Sequence, residues 1–93
     1  MRKIVITPKF QRAYRKVTKR DSALQIHLDD VILMMQSDVF APSLGTHKLS
    51  GALAGLWACT CGYDCRLIFK LEKDSESCEV ILLLDIGNHN EVY

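Results

Sequence analysis

Residues 79–86, EVILLLDI, constrain the fold more than any other stretch of the chain. Val80 to Leu84 are apolar without a break, so the two-residue period of a half-solvated strand is missing. A strand that is apolar on both faces has to be covered on both, which predicts an interior position in a sheet. The residues before it supply partners. LWACT (56–60) leads through CGYD to CRLIFKLE (65–72), and KDSES leads on to the apolar run, two short polar connections that predict antiparallel hairpins. In the middle strand Arg66 and Lys70 fall on one face, alternating with Leu67, Phe69 and Leu71.

The first half of the chain reads as helix. RKIVI (2–6) is a short β-prone run, after which Thr7 is placed to cap a helix and Pro8 to occupy its first turn. Phe10, Ala13, Tyr14 and Val17 recur at helical spacing, with Lys9, Arg12, Lys16 and Lys19 on the opposite side. Ser22 and Gln25 predict a capping box for a second helix, whose buried stripe is Leu24, Leu28, Val31, Ile32 and Met35. His27 borders that stripe and reads as a boundary histidine. The few residues around Arg20 predict an antiparallel αα-hairpin. Residues 37–55 form the longest irregular stretch. The expected fold is α+β in the order β-α-α-β-β-β, one domain over residues 1–93, with an antiparallel sheet of about four strands under two helices.

Charge is distributed unevenly. Residues 1–20 hold eight basic side chains and no acid, whereas the remaining 73 hold four basic and eleven acidic ones, a net −7. Such a split suits an anionic partner at one end of the molecule or, more simply, a solvated helix face. No apolar run approaches the ~20 residues that span a bilayer, and MRKIVITPKF has no long apolar core or small-residue cleavage site. A cytoplasmic protein is expected. Cys59, Cys61, Cys65 and Cys78 lack the paired two-residue loops of structural zinc sites, and they read as reduced thiols acting as small hydrophobes, ahead of metal or redox chemistry.

The segment THKLSGALAGLW (46–57), the hairpin entry DCRLIF (64–69) and the terminal IGNHNEVY (86–93) together resemble toxins of the RelE/ParE superfamily from bacterial type II toxin–antitoxin modules. The resemblance covers essentially the whole chain. It implies a RelE-like fold and an endoribonuclease that cuts messenger RNA, in many members at the ribosome, without a cofactor or metal. It also implies a cognate antitoxin as partner, with DNA contacted only through that antitoxin and no membrane association. Matched to the YafQ-like group, the resemblance implies catalytic roles for His47, His89, Arg66, Tyr93 and Asp64. Lys48 would add charge beside the site, and Arg12, Lys16 and Lys19 would hold RNA. His89 follows the long apolar strand directly, and Gly87 permits a close turn beside it.

Two positions depart from the group. Thr60 stands where a histidine usually precedes the aspartate, and Asp85 where an arginine precedes the C-terminal histidine. The second departure implies that Arg66 and Lys48 carry the phosphate charge, or that activity is weaker. A ParE-like inhibitor of DNA gyrase shares the fold and is the alternative from a different class. A weakened toxin acting as an antitoxin-binding corepressor is another.

Overall fold

The computed structural model describes residues 2–62, 64–88 and Val92. Its elements are β1 (Lys3–Ile6), α1 (Pro8–Thr18), α2 (Ser22–Ser37), β2 (His47–Lys48), β3 (Trp57–Thr60), β4 (Arg66–Lys73) and β5 (Glu79–Gly87), with short 3₁₀ turns at Pro42–Leu44 and Gly51–Leu53. The sheet has five strands in the order β1-β5-β4-β3-β2. The expected two-helix α+β architecture is present, with two differences in the sheet. It is mixed rather than antiparallel, because β1 pairs parallel to β5, and it gains a fifth strand because His47–Lys48 pairs with β3. A two-residue strand has no periodicity to detect, and the direction of β1 is set by a partner almost the whole chain away.

Thr7 caps α1 as expected, its Oγ1 accepting from Phe10 N at 3.2 Å. The same hydroxyl donates to the Leu83 carbonyl at 2.7 Å, which ties the start of the helix to β5. The cap of α2 is Asp21 rather than Ser22: Asp21 Oδ1 accepts from Leu24 N at 3.0 Å. A carboxylate at that position also meets the positive end of the helix dipole, which favours starting the helix one residue earlier. The two helices are joined through residues 19–21, and Tyr14 Oη donates to Asp29 Oδ1 at 2.7 Å between them. Burial and that carboxylate raise the Tyr14 pKa.

The core lies between the helices and one face of the sheet. Phe10, Leu28, Val31 and Met35 pack there on Cys59, Leu67, Phe69, Ile81, Leu83 and Ile86. Burying side chains of this size gives roughly 1.5–3 kcal/mol each before entropy is counted. β5 is interior, flanked by β1 and β4, as its unbroken apolar run requires. The described cysteines correct the sequence reading: Cys61 and Cys65 are joined by a disulfide across the β3–β4 turn, leaving Cys59 and Cys78 as free thiols. Burial pushes the Cys59 thiol up to about 12. Among the described residues no helix is long and apolar enough to cross a membrane.

Candidate active site on the outer face of the sheet

A register shift in β5 decides which side chains share the face away from the helices. Ile68 pairs with Asp85 but Phe69 pairs with Leu83, so Leu84 is an extra residue, a β-bulge. Strict alternation from Ile81 and Leu83 would carry Asp85 into the core. The bulge turns it to the outer face and sends Ile86 to the core instead. Paired residues share a face. One row across the sheet therefore runs His47, Ala58, Ile68, Asp85, and the next runs Thr60, Arg66, Gly87.

His47 is exposed on edge strand β2, with its Nδ1 3.0 Å from the Gly45 carbonyl oxygen. A carbonyl only accepts, so this contact puts the proton of the neutral ring on Nδ1 and leaves Nε2 as the acceptor. Gly45 makes the turn that allows it, at φ +57°. Arg66 is half-buried and spends one of its five donors on the Cys65 carbonyl, at 3.1 Å from Nη1. It lines an open depression of about 530 Å³ with Thr60, Gly62 and Asp64. Asp64 is exposed and adopts a left-handed backbone at φ +53° in the turn closed by the disulfide. Thr60 Oγ1 donates to the Gly62 carbonyl at 3.1 Å.

The structure thus brings Arg66 and Asp64 together in one depression and puts His47 on the same outer face, one row over and two strands from Arg66. It does not bring Lys48 there. Lys48 pairs with Trp57, whose own partner Phe69 is in the core, so it points to the opposite face, its Nζ 5.5 Å from the Trp57 ring centre. Arg12 and Lys16 are exposed on α1 and Lys19 is exposed at its C-cap, on the helix side of the sheet. His89 and Tyr93 lie outside the described residues. Among the described residues no three histidine, cysteine, aspartate or glutamate side chains converge as a metal site.

One residue near the site carries no motif. Lys9, in the first turn of α1, reaches Asp85, Nζ to Oδ2 at 3.4 Å. Asp85 Oδ1 also accepts from Ile86 N at 2.8 Å. Lys9 and Asp85 share a cleft of about 330 Å³ with Thr7, Leu53, Leu56, Ile68, Leu84 and Val92. In the sequence Lys9 is one of eight cations in the first 20 residues. Only the register of a strand 76 positions away singles it out.

A small mixed sheet with a helix pair packed on one face is the architecture of the RelE-like toxins of type II toxin–antitoxin systems. The chain belongs to the YafQ family, described as bacterial toxins of the type II toxin–antitoxin system, whose family model matches residues 2–93. Solved structures agree in fold. A YoeB/ParE toxin from Agrobacterium tumefaciens superposes with a TM-score of 0.77 at 20% identity, covering 94% of this chain and 98% of that one. YafQ from E. coli gives 0.73 at 18% identity over 100% and 99% of the two chains. The toxin in the E. coli DinJ–YafQ toxin–antitoxin complex gives 0.76 at 16% identity over 99% and 97%. No curated protein matches the sequence significantly.

Proposed function

We propose that this toxin is a metal-free endoribonuclease that cleaves messenger RNA at the outer face of its sheet and is silenced by a cognate antitoxin. The observation that supports this reading best is the pairing register, which gives an outward-facing histidine and a phosphate-suited arginine on neighbouring rows of one face. RNA carries its own nucleophile. The protein has to remove the 2′-hydroxyl proton, stabilise the crowded phosphate and protonate the leaving 5′-oxygen. His47 Nε2 takes the 2′-hydroxyl proton, being the ring nitrogen left as acceptor when Nδ1 donates to Gly45. The 2′-oxygen attacks phosphorus, the bond to the 5′-oxygen breaks, and His89 gives that oxygen a proton. The products are a 2′,3′-cyclic phosphate and a 5′-hydroxyl.

Arg66 presents its planar fork to the non-bridging phosphate oxygens, and Asp64 lines the same depression as a second polar group at the site. Tyr93 stacks on an unpaired base. Arg12, Lys16 and Lys19 hold more distant phosphates, in messenger or ribosomal RNA. The antitoxin acts by covering this face, and the existence of a DinJ–YafQ complex supports a partner of that kind.

The test is cleavage of a defined mRNA by purified toxin. Arg66→Ala should lower kcat about 10²–10³-fold, the usual cost of one donor at a developing charge. His47→Ala should lose about 10²–10⁴-fold, the range for a general base. Undiminished cleavage by both variants would remove the site from this face.

A further inference from the structure

The outer face poses an electrostatic problem that the proposed chemistry leaves open. The bulge at Leu84 turns a carboxylate, Asp85, onto the face where RNA phosphates have to sit. Asp85 is one strand and two residues from Arg66, about 8 Å between backbones by strand spacing and rise. At that distance a bare carboxylate would repel a phosphate held by Arg66. The penalty runs from about twofold in bulk water to about thirtyfold at the effective dielectric of a protein surface.

The fold supplies a remedy from the other end of the chain. β1 stops pairing with β5 at Ile6 and Leu83, and Thr7 fastens the start of α1 to the Leu83 carbonyl. The first turn of α1 therefore stands beside the last residues of β5, where no further β1 backbone intervenes. Lys9 extends from that turn to Asp85. Its methylene stem borders the same cleft as Leu53, Leu56, Ile68 and Leu84, an arrangement that lets the head group stay in water. Its ammonium pairs with Asp85 at 3.4 Å, and the side chain stays 70% exposed, against 22% for Asp85.

We propose that Lys9, drawn over the outer face by its ion pair with Asp85, is a phosphate-binding residue of the RNA site and engages a phosphate neighbouring the one held by Arg66. The assignment rests on the reading of this face as an RNA site. Lys9 then performs two tasks: it cancels the carboxylate, and its remaining N–H groups take up phosphate oxygens. An ammonium suits this position because it acts as a point charge without a fixed fork.

The experiment measures binding of a 2′-O-methyl oligoribonucleotide, which lacks the nucleophile and stays intact, against salt concentration. Each phosphate contact to a single strand contributes about 0.7 to the slope of log K against log salt. Lys9→Ala should lower the slope by about 0.7, Lys9→Arg should leave it unchanged, and Lys9→Ala/Asp85→Arg should restore it by returning a cation to the same place. Lys9→Ala/Asp85→Asn separates the two tasks. If Lys9 contacts phosphate the slope stays low, whereas a return to the parental slope would mean that Lys9 only neutralises Asp85 and would overturn the assignment. An unchanged slope in Lys9→Ala beside a reduced one in Arg66→Ala would also overturn it while leaving the RNA site intact. Failure of the parent to bind the oligonucleotide would overturn both. The thermal midpoint of Lys9→Ala should match the parent, since so exposed a side chain carries little packing.

Discussion

Thr7→Val is the sharpest test of how the helix layer is fastened to the sheet. Valine keeps the shape of threonine and removes only the hydroxyl. That hydroxyl makes two bonds of different kinds, accepting from Phe10 N at 3.2 Å and donating to the Leu83 carbonyl at 2.7 Å. Loss of an N-cap acceptor costs about 1 kcal/mol, and loss of a neutral, partly buried hydrogen bond costs about 1 kcal/mol more. The Leu83 carbonyl is not orphaned, because Thr7 N still donates to it at 3.3 Å, so no further desolvation penalty is added. The expected total is about 2 kcal/mol, or about 8–16 °C in Tm for a domain of this length. Urea unfolding followed by circular dichroism reads it directly, with the m-value unchanged. Thr7→Ser keeps the hydroxyl and should fall within about 0.5 kcal/mol of the parent. A Thr7→Val variant as stable as the parent, or a Thr7→Ser variant equally weakened, would refute the double role.

The other expectations concern cysteines and acid sensitivity. Reducing Cys61–Cys65 should cost about 2 kcal/mol on the chain-entropy estimate for so short a loop, read as a shift of the urea midpoint with and without dithiothreitol. Alkylation of the unreduced native protein should label exposed Cys78 promptly, and Cys59 only on unfolding, since burial holds its pKa near 12. Asp74 accepts from Cys78 N, Glu76 N and Lys3 Nζ, which hold its carboxyl below the usual value. Its contribution is therefore present above the unfolded pKa of about 3.9 and is lost as pH falls through the lower folded value. Asp74→Asn should be less stable than the parent at neutral pH, and the gap should narrow as the pH falls below the ordinary carboxylate range; a gap that does not narrow would contradict the assignment.

How legible the chain was depended on how local each signal is. Helix periods and the Thr7-Pro8 start are written within a few residues, and α1 and α2 follow them. Asp21 and Ser22 are adjacent capping types, and the Ser22–Gln25 spacing pointed to the wrong one, since Asp21 caps the helix. The parallel pairing of β1 and the short β2 depend on partners far along the chain. The bulge was hidden by the feature that identified β5: five apolar residues in a row show no alternation, so a break in alternation leaves no trace. That hidden shift sets the side of Asp85 and, through it, the place of Lys9. The placement of Lys48 was missed for a related reason. Adjacent residues on a strand face opposite ways, and His47 and Lys48 proved to be strand rather than loop. The disulfide escaped because its two cysteines flank a turn whose geometry only the hairpin supplies.

Under the proposed function this face cleaves RNA through the substrate's own 2′-hydroxyl, and the ends of the fragments report whether it does. Purified toxin and a short synthetic RNA are incubated in EDTA, and the products are resolved by mass spectrometry. The expected fragments carry a 2′,3′-cyclic phosphate, or the 3′-phosphate it hydrolyses to, and a 5′-hydroxyl. Fragments with a 5′-phosphate and a free 3′-hydroxyl, or cleavage abolished by the chelator, would contradict it.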